Sequence, residues 1–283
     1  MSRMGGKYYK KGMKLSVVNF DNVEDYLKVV NVVPAQYSDQ GSRERGRSDF
    51  FGTSSYEEAL KLAETGWAEG AQQVIALRDK FDSFLQAQKS ARVGAYGYEV
   101  SGDWLDVGRY LDGEPECFGI EVNDGEIVSQ KVVSLRLNNT VSAAVTTEQI
   151  IRRGLTVLLA VDLLEACGLR VEVIVCQATY YYGTKDHREM NLTIKDANQP
   201  VDIDRLAFWI AHPSAFRRFG FSYFEHGGHP SHLSNVSTPH DHGTREGTVE
   251  FESYESCGTT EQDILDDVRK IAAGCGLTHS EAL

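Results

Sequence analysis

The chain has 283 residues, of which 41% are hydrophobic and 25% are charged, a composition typical of a globular protein. Its formal net charge of −12 argues against broad, sequence-independent binding to nucleic acid, which requires a cationic surface. The longest apolar run, GLTVLLAVDLLEAC, is interrupted by Asp162 and Glu165 and is too short to span a bilayer. The basic start, MSRMGGKYYKKGMK, lacks the apolar core of a signal peptide, so we expect a cytoplasmic location and no membrane.

The cysteines predict buried thiols rather than a disulfide framework. They are odd in number, widely spaced and free of CxxC pairs, which is typical of a protein from a reducing compartment. The five residues are Cys117, Cys167, Cys176, Cys257 and Cys275.

The first part of the chain is predicted to be a basic arm and polar linker over residues 1–50, partly flexible. Basic clusters over residues 7–14 and 43–47 leave local contact with nucleic acid open. LSVVNFDNVEDYLKVVNVV mixes strand-like and helix-like spacings and is left unassigned. AQYSDQGSRERGRSDFFGTS is polar and charged, which predicts an exposed loop or linker.

Residues 51–125 are predicted to form a small α+β region. Ser55 and Glu58 have capping-box spacing, and Gly66 ends the helix that follows them. The next helix, WAEGAQQVIALRDKFDSFLQAQ, has one apolar stripe that should face a core. Its members are Val74, Leu77, Phe81 and Leu85. Residues 92–118 are rich in glycine, aromatic and acidic residues, which favours strands and loops.

From residue 126 onward strands alternate with helices, which predicts an α/β domain over residues 126–283. VVSLRL has the apolar character of a buried strand, and NNTVSAAV is a polar loop after it. A long helix begins at the capping pair Thr146 and Gln149 and ends at Gly168. In open α/β sheets ligands bind at the carboxyl ends of the strands, so this loop is the first place to look for a site.

The remaining segments complete the predicted sheet. RVEVIVCQATYYY and EMNLTIKDA, joined by the polar YGTKDHR, predict an antiparallel hairpin at one edge of the sheet. VDIDRLAFWIAH predicts a helix that starts at Asp202 and stops before Pro213, and RFGFSYF predicts a strand that ends in Glu225. After a long loop rich in glycine and histidine, VEFESY predicts a strand. TEQDILDDVRKIAAG predicts a helix capped by Thr259 and Gln262.

This order of elements resembles a von Willebrand factor A-type domain over residues 126–276. In that family a strand ends in an Asp-x-Ser-x-Ser loop that holds a divalent metal, a helix and an edge hairpin follow, and a later strand ends in Asp-Gly. The matching loop here is Asn138-Asn139-Thr140-Val141-Ser142, and Glu225 lies near the family's later Asp in the sequence. The resemblance implies a three-layer sandwich with a mainly parallel sheet and an antiparallel edge hairpin.

Two phrases, WLDVGRYLDGEPECF and FWIAHPSAFRRFGFSYFE, also resemble uncharacterised bacteriophage and actinobacterial proteins. That resemblance implies a phage or bacterial origin. The expected location is then the host cytoplasm if a phage encodes the chain.

Two interpretations of the loop stay open. A cation such as Mg²⁺ prefers oxygen ligands with at least one carboxylate among them, and Asn138 offers a neutral carbonyl oxygen where the family has Asp. Glu225 could supply the missing charge if the fold brings it close. Alternatively, the polar side chains only satisfy the turn and the helix start. The candidate ligands of Mg²⁺ or another divalent metal are Asn138, Thr140, Ser142, Glu225, His226 and His229.

The histidines of HGGHPSHLSNVSTPHDHG form a second candidate site. Their spacing could bring imidazoles together on a transition metal, although the Gly, Pro and Ser content equally suits a solvated loop. They are His226, His229, His232, His240 and His242.

Three further features have both a functional and a structural interpretation. An acidic run could hold Mg²⁺ or act as acid and base, or form a solvated loop face. Its members are Asp103, Asp106, Asp112, Glu114 and Glu116. Arg217 and Arg218 could bind a partner carboxylate or phosphate, or lie along the surface. Cys176 fits a buried thiol better than a nucleophile.

Three classes of function follow from these patterns. We expect a non-catalytic, A-domain-like adaptor that binds another protein at the carboxyl edge of the sheet. The resemblance implies ring-shaped AAA+ ATPases or larger assemblies as the partner class. The alternatives are a metal-dependent enzyme acting on nucleic acid or a nucleotide, built from the histidine loop and the acidic run, and a structural virion or assembly protein.

Overall fold

The computed structural model describes residues 14–32, 47–78, 81, 96–102, 104–121, 132–181, 185–226, 248–251 and 260–275. These residues form two β-sheets and a set of helices, which confirms the predicted mixed α/β class. Within the same ranges, none of the helices combines the length and the apolar character needed to cross a lipid bilayer. The first 13 residues, with the start of the predicted basic arm, lie outside the described ranges, as do Arg43 and Arg45.

The strands and helices have the following bounds. The strands are β1 (Lys14–Phe20), β2 (Tyr96–Glu99), β3 (Trp104–Leu105), β4 (Phe118–Glu121), β5 (Val132–Asn138), β6 (Arg170–Tyr181), β7 (Asp186–Lys195) and β8 (Thr248–Phe251). The α-helices are α1 (Val23–Val30), α2 (Ser48–Phe51), α3 (Tyr56–Thr65), α4 (Ala68–Arg78), α5 (Val107–Leu111), α6 (Thr147–Ala166), α7 (Ile203–Ala211), α8 (Phe221–His226) and α9 (Glu261–Gly274). A π-helix covers Ala215–Gly220.

The main sheet has the strand order β1-β7-β6-β5-β8. β5 pairs in parallel with β6 and β8, and β1 pairs in parallel with β7, so the sheet is mainly parallel as predicted. β6 and β7 form the predicted antiparallel hairpin, but the prediction that it lies at the edge is wrong because β1 covers the outer side of β7. The unassigned stretch after residue 14 is this strand followed at once by α1, which explains its mixed spacings.

One face of the main sheet is apolar and carries the helices. In β5 the buried Val133, Leu135 and Leu137 alternate with Ser134 and Arg136. The apolar set belongs to a single core cluster with residues of α1, α3, α4, α6, α7 and α9, so these helices cover that face. A second helical layer, which a three-layer sandwich requires, stays a prediction.

Helix α6 is the central helix of this layer. The side chain of Thr146 accepts from the N–H of Gln149, and the side chain of Gln149 accepts from the N–H of Thr146, so the predicted capping box is confirmed. The helix is buried along most of its length, and it crosses α7 closely at Gly154. A Cβ added to Gly154 would collide with the Cα of Ala211, so the crossing requires glycine.

A small second sheet has the order β2-β4-β3 and is antiparallel. Helix α5 follows β3 directly, and Asp106 caps it by accepting from the N–H groups of Gly108 and Arg109. The acidic run predicted from the sequence is therefore partly a helix cap and turn of this module. Asp103 lies outside the described ranges.

The predicted strand RFGFSYF is wrong. These residues lie in the π-helix and in α8. Phe219, Phe221 and Tyr223 alternate as strand residues do. The observed helical segment, residues 215–226, buries Phe216, Phe219 and Phe224, spaced three and five residues apart. Aromatic residues at these spacings fit a strand as well as a helix, so the local pattern does not distinguish the two structures. Tertiary contacts on several sides of the segment favour the helix.

The prediction of an exposed loop up to Ser54 is wrong in two respects: Ser48–Phe51 is helical, and two residues of the segment are buried. Phe51 and Thr53 are buried, and Phe51 belongs to α2. Arg218 donates from Nε to the Thr53 hydroxyl at 2.9 Å and from Nη2 to the Thr53 carbonyl oxygen at 2.7 Å. The Ser214 hydroxyl donates to the carbonyl oxygen of Phe51 at 2.6 Å. These side chains, more than 160 residues away in sequence, hold the segment in the fold.

Smaller differences concern helix ends and caps. The Ser55 hydroxyl accepts from the N–H of Glu58 as predicted, and the Glu58 carboxylate also accepts from the N–H and the hydroxyl of Ser54. The described part of the predicted helix over 67–88 ends at Arg78, with Val74 and Phe81 in the core. Helix α9 is capped by Thr260 with Asp263, one residue after the predicted pair. Four cysteines are buried, namely Cys117, Cys167, Cys176 and Cys275, and Cys257 lies outside the described ranges.

Candidate functional site

The loop after β5, residues 139–146, lies at the carboxyl end of the three parallel strands β5, β6 and β8. We call it the β5–α6 loop. Asn138 pairs with Cys176 in the sheet register, and the N–H of Asn139 donates to the carbonyl oxygen of Cys176 at 2.8 Å. The loop therefore leaves the sheet at the position that binds ligands in open α/β sheets.

The polar side chains of the predicted metal motif accept hydrogen bonds from the loop itself and from β6. The Asn138 Oδ1 accepts from the N–H of Thr140 at 2.9 Å, and the Thr140 hydroxyl accepts from the N–H of Ala178 at 2.7 Å. Asn138 and Thr140 are buried, whereas Ser142 is exposed and accepts from the N–H of Ala144 at 3.3 Å. This arrangement has the form of a turn stabilised by its own side chains.

Two buried arginines fix the ends of the loop. Arg153 donates from Nη1 to the carbonyl oxygen of Asn138 at 2.8 Å. Arg217 donates from Nη2 to the carbonyl oxygen of Val145 at 2.5 Å and from Nη1 to that of Phe50 at 2.9 Å. Both guanidinium groups add positive charge beside the loop, and this charge opposes the binding of a metal cation there. Arg217 and Arg218 are thus buried and hold neighbouring segments through hydrogen bonds. The predictions that they bind a partner's carboxylate or phosphate, or lie along the surface, are wrong.

Glu225 reaches this region on a helix rather than at the end of a strand. It is buried in α8, next to Phe224, which packs in a cluster with Val141, Ile150 and Phe216. His226 is the last residue of α8. The fold thus places the helix that carries Glu225 against the β5–α6 loop.

In the described part of the chain, no three His, Cys, Asp or Glu side chains are grouped in a way that could hold a metal ion. Of the predicted ligands, His229 lies outside the described ranges. So do His232, His240 and His242 of the histidine loop.

A second polar feature lies on the sheet face opposite the core cluster and was missed in the sequence. We call it the polar row, consisting of Arg136, Cys176, His187, Glu189 and Asn191. Arg136 Nη2 lies 3.3 Å from Cys176 Sγ, 3.3 Å from Asn191 Oδ1 and 3.7 Å from Glu189 Oε1. His187 Nε2 lies 3.9 Å from Glu189 Oε2. All except Arg136 are buried, so the row is an interior polar network. Arg136 lies two residues before Asn138 on β5.

A sequence signal for the polar row exists in the alternation of the strands. Ser134 and Arg136 alternate with apolar residues in β5, as Glu189 and Asn191 do in β7. Period-two alternation usually marks a solvated face, and the partner strands were needed to show that these polar residues meet in the interior.

A pocket of about 420 Å³ opens at the opposite edge of the sheet, where β1 and β7 end. It lies between the starts of α1 and α7, and exposed carboxylates of Asp21, Glu24, Asp196 and Asp202 surround it. Lys195 at its base is bonded to Glu165 and to the carbonyl oxygen of Val171, so its ammonium group has a structural role.

Comparison with known proteins gives a family without an assigned role. The model of a domain of unknown function, DUF7192, matches residues 6–279. The chain belongs to this family. No curated protein and no solved structure matches it. Because the family match runs through both sheets, the small sheet and the β5–α6 loop are parts of the same family domain.

Proposed function

We propose that the chain is a non-catalytic adaptor that binds another protein through the β5–α6 loop. The observation that carries the proposal is the contrast between the two halves of this loop. Asn139, Thr140 and Val141 are buried, and hydrogen bonds of Asn139 and Thr140 hold this half in place, whereas residues 142–144 are exposed. A loop held in one conformation loses little conformational entropy on binding, which favours recognition of a partner.

The order of elements supports an A-domain-like architecture for this adaptor. A strand, a loop with hydroxyl side chains, a helix and an antiparallel hairpin follow one another, and a later strand, β8, lies beside β5. Two departures distinguish it from the resembled family: Asn138 replaces the family's Asp, and β1 covers the hairpin. The acidic residue after the later strand would be Glu252, which follows β8 in the sequence and lies outside the described ranges.

We further propose that the partner belongs to the class implied by the A-domain resemblance, a ring-shaped AAA+ ATPase or a larger assembly in a phage or bacterial setting. The side-chain oxygens of Asn138 and Thr140 already accept hydrogen bonds from backbone N–H groups. This supports binding through the shape of the loop rather than through a bridging metal. The buried arginines beside the loop support the same conclusion.

Site-specific photocrosslinking in the producing cell tests the proposal. A crosslinking amino acid at Ser142 or Ala143 should capture one protein, identified by mass spectrometry, that a crosslinker at the exposed Lys28 does not capture. The purified partner should then bind the wild-type chain, and Ala143→Arg should weaken its Kd about tenfold or more. Urea unfolding should show that Ala143→Arg leaves stability unchanged. Equal binding by this variant and the wild type would refute the loop as the contact site.

A further inference from the structure

Helix α5 has its apolar residues on the outside. Val107, Tyr110 and Leu111 lie three and four residues apart, which places them on one side of the helix. Their exposed fractions are 60%, 60% and 76%, and none of the helix's five residues is buried. A surface helix normally turns such a stripe to the core, so the orientation of α5 is the reverse of the usual one.

Specific contacts of the polar side chains hold α5 in this orientation. The Arg109 guanidinium lies over the ring of Tyr98 at 3.9 Å from its centroid, and its Nη1 donates to the carbonyl oxygen of Glu116 at 3.2 Å. The Tyr98 hydroxyl donates to Asp106 Oδ2 at 3.1 Å, while Asp106 caps the helix. The polar residues are thus directed to the small sheet, and the apolar stripe is left in solvent.

The surroundings of the stripe are acidic. Between residues 96 and 121 there are seven Asp or Glu residues and one basic residue, Arg109. Arg109 is engaged with Tyr98 and with Glu114, whose Oε2 lies 2.8 Å from its Nη1. Glu99, Asp112 and Glu116 are exposed near the ends of the module's elements.

We propose that the α5 surface, formed by Val107, Tyr110 and Leu111, is a docking site for a partner segment with apolar anchors flanked by lysine or arginine. An apolar centre with a charged rim is the usual anatomy of a protein interface, and Tyr is enriched among its strongest contacts. The acidic rim makes a basic segment the complementary occupant. A second copy of the chain would bring the same carboxylates together and is disfavoured on that ground. This site is separate from the β5–α6 loop and gives the adaptor a second contact.

The test measures binding of a synthetic amphipathic helix of leucine and lysine to the full chain by fluorescence anisotropy, with a leucine–glutamate helix as the charge control. The Leu/Lys peptide should bind the wild type, and Val107→Ser with Leu111→Ser should weaken its Kd about tenfold or more. Ile75→Ser, at an apolar residue of α4 that is 52% exposed, should leave the Kd unchanged. The Leu/Glu peptide should not bind. Urea unfolding should give the same stability for all three chains, because the replaced side chains are exposed.

Two outcomes would overturn the proposal. Equal affinity of the Leu/Lys peptide for the wild type and the double variant would show attraction to the net negative charge of the whole chain. A concentration-dependent dimer in light scattering that disappears in the double variant would make a second copy the occupant. Neither outcome affects crosslinking at Ser142, so failure of this inference and failure of the loop as a binding site are distinguishable.

Discussion

Arg153 in the second turn of α6 donates from Nη1 to the carbonyl oxygen of Asn138 at 2.8 Å, across 15 residues of sequence. The bond joins the last residue of β5 to the helix that follows it. Because Arg217 also donates to the carbonyl oxygen of Val145, buried arginines hold the β5–α6 loop near both of its ends. The predictions below concern the interactions that keep this loop and its surroundings in place.

Thr140→Ala should destabilise the fold because it leaves the buried N–H of Ala178 without its acceptor. We expect the free energy of unfolding to fall by roughly 1 to 3 kcal/mol. Thr140→Ser keeps the hydroxyl and should lower the free energy of unfolding much less. Urea unfolding of the three chains measures this, and equal losses in the two variants would show that the missing methyl group, rather than the hydrogen bond, is responsible.

Mg²⁺ should leave the melting temperature unchanged, because the oxygens of Asn138 and Thr140 already accept hydrogen bonds. If the loop bound the cation, a cation concentration of a hundred times the Kd would raise the free energy of unfolding by about 2.7 kcal/mol. Thermal melting with Mg²⁺, Mn²⁺ and Zn²⁺ checks this. A stabilisation by any of these ions that Ser142→Ala abolishes would restore the metal interpretation of the loop.

Arg218→Met should be severely destabilising, because it removes two hydrogen bonds from a buried guanidinium to Thr53. We expect a loss of roughly 3 kcal/mol or more in the free energy of unfolding. Arg47→Met is the matched control, since the Arg47 side chain is exposed and its ion pair with Asp49 is a surface contact. The control should change stability by less than about 0.5 kcal/mol. Similar losses in both variants would contradict an interior role for Arg218.

His212 should make the protein less stable in mild acid. Burial lowers the pKa of His212 to about 4, and the negative charge of Glu58 only partly opposes this. The unfolded chain takes up a proton near pH 6.5 and the folded chain does not until about pH 4, so stability falls as the pH drops through this window. The full effect is on the order of 3 kcal/mol.

The measurement compares urea unfolding of the wild type and His212→Asn between pH 7 and pH 4.5. The asparagine carbonyl oxygen can accept from the N–H of Ser214, as His212 Nδ1 does at 3.2 Å. Carboxylates titrate in both chains, so the difference in slope isolates the histidine. Parallel slopes would mean that His212 is protonated in the folded state as readily as in the unfolded one.

Glu189→Ala should destabilise the polar row, because it leaves the charge of Arg136 without its nearby carboxylate in the interior. Breaking such a buried pair costs roughly 3 to 5 kcal/mol, whereas replacing both partners by apolar residues is often neutral. The double variant Arg136→Met with Glu189→Leu should therefore regain most of the lost stability. A double-mutant cycle of Arg136→Met and Glu189→Leu, each alone and both together, measures the coupling by chemical denaturation. No recovery would show that Glu189 acts through groups other than Arg136.

The parts of the fold that the sequence predicted well are those in which local signals and tertiary packing agree. Helix α6 has a capping box at Thr146 and a long apolar body, and the hairpin of β6 and β7 has long strands joined by a polar connection. The segment from Arg218 to Phe224 was predicted wrongly because its aromatic residues fit a strand as well as a helix. Buried contacts on several sides, which leave no trace in local spacing, decide its structure.

The candidate site was predicted in position but not in chemistry. The loop after VVSLRL follows from the strand-to-helix pattern, whereas the roles of Arg153 and Arg217 depend on contacts 15 and 72 residues away. The burial of Thr53 depends on Arg218, 165 residues later. The periodicity of a single sequence does not predict such pairings. The residues that they join are far apart in the sequence, and the local pattern around the loop indicates only a polar turn.

The place of β1 in the sheet sets an order for assembly on the ribosome. Asn191, whose amide donates to the side chain of Asn19, is synthesised 172 residues later. At ordinary translation rates the first strand waits roughly 10 to 30 s for its partner, with an open backbone edge and the apolar Leu15, Val17 and Val18 available to other chains. β1 therefore joins the sheet late, and until β7 is made its unpaired edge can pair with other chains.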